Sequence, residues 1–168
     1  MDFIELEKVR YSVRRFSDRP VSPEQLAVLL EAARLAPTAK NQQDFFIYVI
    51  QSPEALAKAG DCTPCLYGAP LALLFCCDRA GAVSIPINSV DFPQLDAAIV
   101  MTHVMLAAAS IGLGSCWVGY FDETKTRAAF GLPENRQPVG FLPLGYPDMP
   151  PGEAHYASKT LAELTRAL

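Results

Sequence analysis

The chain has 168 residues, 51% apolar and 19% charged, which suits one domain with a sizeable core and excludes an intrinsically disordered segment. Fourteen basic residues against eighteen acidic ones leave a formal net charge of −4, without the basic excess of a nucleic-acid-binding surface.

A first helix is predicted over residues 3–11, with Phe3, Leu6 and Val9 at helical spacing. Ser22-Pro23-Glu24-Gln25 starts the next: an N-cap, a proline at the first helical position and a glutamine placed to close a capping box. Its apolar stripe is Leu26, Leu29, Leu30 and Ala33, and Pro37 follows its end. Residues 45–51 (FFIYVIQ) read as a strand by their aromatic and β-branched content, and Ser52-Pro53 then opens a short helix. Residues 71–77 (LALLFCC) are apolar on both faces, the mark of a buried central strand. Residues 78–92 carry Gly81, Pro86, Asn88 and Ser89 without a clear period and read as a surface loop.

Residues 93–111 form a long helix that is apolar on nearly every side, which buries it in a core or at a subunit contact. Gly112-Leu113-Gly114 ends it. A third strand is predicted over residues 116–121, and Asp122 caps a short helix that stops at Gly131. Residues 138–145 (PVGFLPLG) read as a fourth strand, placed at an edge by its two prolines. A proline-rich loop ends at Gly152, and Thr160 and Glu163 stand at capping-box spacing for a last helix. With no internal repeat, the expectation is one domain over residues 1–168, a layered mixture of helices and a small sheet. The tail over residues 150–168 has too few apolar groups for a domain of its own and is expected to pack on the body or on a partner.

The opening MDFIELEKVR is charged from Asp2 onward and lacks the apolar segment of a secretory signal. The longest apolar stretch, residues 97–109, is broken by Thr102 and His103 and is too short to span a bilayer. Five cysteines, an odd number, read as reduced thiols. The expectation is a cytoplasmic protein without nucleic-acid or membrane partners.

Three clusters could carry chemistry. Arg10-Tyr11-Ser12-Val13-Arg14-Arg15-Phe16 sets three guanidinium groups and a hydroxyl where a helix gives way to a loop, and such forks match phosphate oxygens. Read alone, it is equally a solvated basic edge paired with Glu5 and Glu7. Ala36-Pro37-Thr38-Ala39-Lys40-Asn41-Gln42-Gln43 packs amides and hydroxyls into one helix-to-strand connection, suited to a heteroaromatic ring or simply an ordinary polar turn. Gly112-Leu113-Gly114-Ser115-Cys116-Trp117-Val118-Gly119 lets backbone approach a ligand closely, or is a helix C-cap leading into a core strand. Its spacing, and its place between a helix and a strand, are wrong for a dinucleotide fingerprint.

Taken in order, the three clusters resemble the nitroreductase family of FMN flavoproteins. The resemblance extends through Tyr67-Gly68-Ala69-Pro70, Asp96-Ala97 and Leu142-Pro143-Leu144-Gly145-Tyr146-Pro147, so it covers almost the whole chain. It implies an α+β layered fold, a small, mostly antiparallel central sheet flanked by helices, in a homodimer with FMN at the subunit contact. By the same resemblance Arg10, Ser12 and Arg14 hold the FMN phosphate, with Tyr11 contributing main chain and Lys159 completing the site from the tail. Pro37, Thr38, Ala39 and Asn41, with Gln43 close by, reach the flavin from the partner subunit. Trp117, Val118 and Gly119 lie along the isoalloxazine. The activity implied is transfer of electrons from NAD(P)H to a nitroaromatic, quinone or related small acceptor by a ping-pong mechanism, with no obligatory acid–base side chain. This chain departs from the family in having Gln43-Asp44-Phe45 where Gln-Pro-Trp is common, and one basic residue in the tail where two are usual.

Two other readings stand beside this one: a flavin-binding protein without turnover, and a thiol–disulfide protein using Cys62 and Cys65 of Cys62-Thr63-Pro64-Cys65. This C-x-x-C does not open a long helix, and by the resemblance it falls where the family lines the flavin pocket, so a pocket wall is favoured over an active dithiol. His103, on the long apolar helix, reads as a satisfied core histidine. Two histidines without HxH or HExxH spacing predict no metal site.

Overall fold

In the computed structural model, which describes residues 2–80 and 89–168, four strands build one sheet. They are β1 (Phe45–Ile50), β2 (Leu71–Asp78), β3 (Gly114–Ser115) and β4 (Arg136–Gly145), in the order β1-β2-β4-β3 with every neighbouring pair antiparallel. The helices are α1 (Phe3–Val9), α2 (Pro23–Leu35), α3 (Pro53–Cys62), α4 (Phe92–Ser110), α5 (Glu123–Phe130) and α6 (Leu161–Leu164). Their starts follow side-chain capping. Asp2, Ser22, Ser52, Asp91 and Asp122 each accept a first-turn backbone N–H, and Glu5, Gln25 and Glu163 reach back to close capping boxes.

β2 is buried on both faces, so its side chains feed two cores alternately. Leu71, Leu73 and Phe75 pack with Leu142 and Leu144 against Leu29 and Ala33 of α2 and Val100, Met101 and Val104 of α4. Ala72, Leu74 and Cys76 pack with Phe141 against Ala59 and Cys62 of α3, with Phe130 of α5 alongside. The result is the α+β layered arrangement that the resemblance implied, with helices on both faces of a small antiparallel sheet. By length and composition α4 could cross a membrane, but Val100, Met101, Val104 and Ala108 on it are core residues.

Three expectations are corrected. β4 lies inside the sheet, between β2 and β3, and not at an edge. Its prolines act locally. Pro138 sits opposite Cys76 at a register shift that leaves Val139 as the extra residue. Pro143 accepts a bond from the Cys116 N–H at 3.3 Å but has no N–H to return it. That gap in the ladder is why the third strand is only Gly114–Ser115. Of residues 116–121, only Val118 pairs, exchanging bonds of 2.9 and 3.0 Å with Phe141. His103 is exposed and not a core residue. Of the expected loop over residues 78–92, residues 81–88 lie outside the described residues, Asp78 ends β2 and Phe92 begins α4.

Candidate functional site

α1 ends at Arg10, whose extended backbone (φ −69°, ψ 128°) turns the chain toward β3. The Val13 N–H donates to the Ser115 carbonyl at 2.9 Å, and Ser12 bridges Ser115 in parallel. An extended segment alternates its side chains. Val13 is therefore fully buried, while Ser12 and Arg14 face outward. Arg10, Tyr11, Ser12 and Arg14 line a cleft of about 390 Å³ whose far wall is the tail, including His155 and Ser158. Lys159 follows Ser158 directly and is exposed; its side chain is not among those lining the cleft.

The tail is fastened at several points. The Tyr11 hydroxyl donates to the Met149 carbonyl at 2.6 Å, and Arg15 bonds the Asp148 carbonyl and pairs with its carboxylate at 3.1 Å. His155 Nε2 lies 2.9 Å from the Lys8 carbonyl, and its ring meets Tyr11 edge-on. Burial, and then the neighbouring Tyr156, push the Tyr11 phenol above its usual range, so the hydroxyl stays a donor.

The second cluster, residues 36–43, leaves α2 and turns tightly before β1. Lys40, Asn41 and Gln43 all have left-handed backbone, at φ 53°, 54° and 57°. For residues other than glycine this is strained and needs anchoring. Asp96, 4% exposed in the first turns of α4, supplies the anchor: both its oxygens accept the Ala39 N–H at 3.0 Å. Thr38 Oγ1 accepts the Gln43 N–H at 3.0 Å. In the sequence Asp96 stood only as part of a motif; a lone carboxylate in an otherwise apolar helix was the available signal of its role. Within one chain the lining of the Arg10–Arg14 cleft includes none of Pro37, Thr38, Ala39, Asn41 or Gln43. Gln43 instead borders a shallow recess beside Leu30, Arg34 and Phe45.

The third cluster runs on from β3. Trp117 is 38% exposed, Val118 is buried against Phe141, and Gly119 lies under the indole. A Cβ at Gly119 would come within 3.0 Å of Trp117 Cζ3. Burial pushes the Cys116 thiol up, and Arg14 and Ser12 pull the other way, which places this residue against the phosphate-type cluster. Cys62 and Cys65 are both free thiols; Cys62 is buried and donates to the Lys58 carbonyl of its own helix at 3.2 Å. Among the described residues no group of three or more His, Cys, Asp or Glu could hold a metal ion.

The donor set suits an anion. Two guanidinium groups and a hydroxyl converge on one polar cleft, and the main chain beside it is already tied to β3. A phosphate monoester fits that chemistry.

The comparisons agree with the fold and extend it. The profile of the nitroreductase family matches residues 8–63 and 63–146. A nitroreductase family protein from Clostridium difficile 630 is 38% identical in sequence and superimposes with a TM-score of 0.93, over 99% of this chain and 98% of that one. A Methanothermobacter thermautotrophicus protein with the provisional name NADH dehydrogenase/NAD(P)H nitroreductase is 35% identical over 161 residues, 90% of this chain and 81% of its own length. An FMN-dependent nitroreductase from Clostridium difficile R20291 is 26% identical with a TM-score of 0.78, over 88% of this chain and 89% of that one.

Proposed function

The chain belongs to the nitroreductase family, and from that membership we propose that it is an FMN-dependent oxidoreductase carrying electrons from NAD(P)H to a nitroaromatic, a quinone or a related small acceptor. The observation that carries this reading is the cleft in which Arg10, Ser12 and Arg14 converge beside the tail. The relatives named for FMN and for NAD(P)H support the cofactor and the donor.

When bound, FMN supplies the two-electron redox chemistry. The chain's own residues bind and orient. Arg10, Ser12 and Arg14 take the phosphate and Tyr11 contributes main chain; Lys159, exposed next to the lining residue Ser158, would have to turn in from the tail to add its charge. Trp117, Val118 and Gly119 lie beside the ring system. No acid–base side chain is assigned; main-chain N–H groups stabilise developing negative charge. Donor and acceptor use one open pocket in turn, so turnover is ping-pong.

A homodimer is part of the same proposal: by the family resemblance Pro37, Thr38, Ala39, Asn41 and Gln43 belong to a second copy's flavin site, and their absence from the lining of their own chain's Arg10–Arg14 cleft is compatible with that. They approach the flavin from a second copy, and each set is hydrogen-bonded to the body of its own chain, one to β3 and the other to Asp96.

The first test is the visible absorption spectrum of the purified protein, before and after anaerobic NADH or NADPH. A flavin spectrum that bleaches is expected. One that does not bleach would favour flavin binding without nicotinamide turnover, and a colourless protein that takes up no added FMN would overturn the reading. Steady-state kinetics then check the order of events: parallel double-reciprocal plots are expected, and intersecting ones would reject ping-pong turnover.

A further inference from the structure

The tail brings one side chain to the Arg10–Arg14 cleft that the reading above leaves without a task. Gly152, Ala154, His155, Ala157 and Ser158 line the cleft from the tail. Of these five only His155 can carry a positive charge, and the side chain of Lys159 is not among the lining ones. His155 is half-buried, where residues 152–154 before it and 156–159 after it are exposed.

One side of its ring is fixed. Nε2 lies 2.9 Å from the carbonyl of Lys8 in the last turn of α1. A carbonyl can only accept, so Nε2 carries a proton and donates it. Tyr11 and Tyr156 hold the ring edge-on, at 6.0 and 4.9 Å between centroids. Among the described residues the bond to Lys8 is the one hydrogen bond that the ring makes. With Nε2–H committed, the ring has two states. Neutral, its Nδ1 is a bare acceptor and repels an anion. Protonated, both nitrogens donate and the ring is a cation. A phosphate monoester brings up to two negative charges, and among the described residues no carboxylate lines the cleft to compete for a cation.

We propose that His155 binds the cofactor phosphate as an imidazolium, with Nε2–H on the Lys8 carbonyl and Nδ1–H on a phosphate oxygen. Binding then takes up a proton from solvent wherever the free ring is neutral. The proposal rests on the FMN reading of the cleft, and it makes a demand that the reading alone does not. Preference for the phosphate-bearing flavin falls as pH rises, and it falls through one histidine.

The test is titration of the flavin-stripped full chain with FMN and with riboflavin, which lacks the phosphate, for the wild type, His155→Gln and Arg14→Ala. Melting curves check that each variant is folded. Measurements at about pH 7 and about pH 9 both lie above the second phosphate ionisation at about pH 6, so the phosphate keeps its charge between them. Glutamine retains an N–H for the Lys8 carbonyl, which keeps the tail fastened, but never carries a charge. The wild-type preference for FMN over riboflavin is expected to fall about tenfold over this range, the worth of one hydrogen bond to a charged group. His155→Gln is expected to start about tenfold below the wild type at the lower pH and to equal it at the higher. The other charged and titratable groups around the ring are Glu7, Lys8, Arg10, Tyr11, Arg14 and Tyr156, with Glu153 two residues before it. The comparison with His155→Gln removes their part from the pH dependence. If His155→Gln matches the wild type at both pH values while Arg14→Ala loses the preference, the role of His155 is overturned and the phosphate cleft stands. A wild-type preference that does not fall with pH overturns it too, since His155 would then only fasten the tail. Equal weakening of both flavins in His155→Gln marks a structural effect and has the same consequence. If Arg14→Ala itself keeps the preference, the phosphate assignment fails and takes the proposal with it.

Discussion

Asp44, just before β1, stands close enough to Asp78 at the end of β2 and to Asp96 on α4 to feel the charge of both. Those two have partners. The Asp78 carboxylate accepts from the Ala80 N–H and from Asn135, which hold it below the usual range, and Asp96 binds the Ala39 N–H. Asp44 has burial against it, then the charges of Asp78 and Asp96, and its carboxyl is pushed up. A carboxyl raised in the folded state costs stability wherever it must be charged. That cost is fully present above its folded value and disappears as pH falls below the ordinary aspartate value of about 3.9. Asp44→Asn is therefore expected to raise the melting temperature at pH 7 and to lose that advantage below about pH 4. Melts across this range decide it; a variant less stable than wild type at pH 7 would show that the Asp44 carboxylate has a stabilising partner. At this scale the sequence exposes charge and chemistry more readily than position. Arg10, Ser12 and Arg14 stood out as a phosphate-type cluster and do line one cleft. Asp96 was visible only as part of a motif, because its role depends on a contact 57 residues away in the sequence.

Among the elements, helix starts were legible because capping is local: Ser22 with Gln25, Ser52, Asp122, and Thr160 with Glu163 all cap where the spacing placed them. Strand order was not, because a proline reports a missing N–H without saying which neighbour goes short of it. β4 carries two prolines and is still internal: one is absorbed at a register shift and the other against a broken stretch of the β3 side. The junction of β3 with the Arg10–Arg14 segment is correspondingly short of bonds and depends on close packing. A Cβ on Gly114 would lie 2.5 Å from Val13 Cγ2 and 2.8 Å from Pro147 Cγ, so Gly114→Ala must push that segment off β3. The expected effect is a loss of about 1–3 kcal/mol in urea unfolding. FMN binding should weaken along with it, because Ser12 and Arg14 flank Val13 on the displaced segment. An unchanged FMN affinity at reduced stability would show that the cleft is held by the tail and not by β3.

For the molecule as a whole, the unusual quantity is exposed apolar surface. Leu95 and Ile99 on α4 are 50% and 40% exposed, although the same helix supplies Val100, Met101 and Val104 to the core. α1 buries no residue at all and leaves Phe3 and Ile4 about 60% open, and Leu161 and Leu164 on α6 are more exposed still. A helix apolar all round has two apolar neighbours to satisfy, and the sheet and α2 account for only one side of α4. The two predicted flavin-contacting sets are likewise separate on one chain. A second copy packed on the open face of α4 would cover the apolar surface, and under the proposed function it would also be the copy whose flavin the 37–43 turn reaches. Ile99→Asp places a charge in that contact without touching either cluster. It is expected to convert a dimer into a folded monomer by light scattering at micromolar concentration, and to lose FMN in the same step. A monomer that holds FMN as tightly as the wild type would confine the cofactor to the Arg10–Arg14 and Trp117–Gly119 half, and would leave the Asp96-anchored turn without a ligand. A wild-type protein that is itself monomeric would require the open face of α4 to be covered by something other than a second copy.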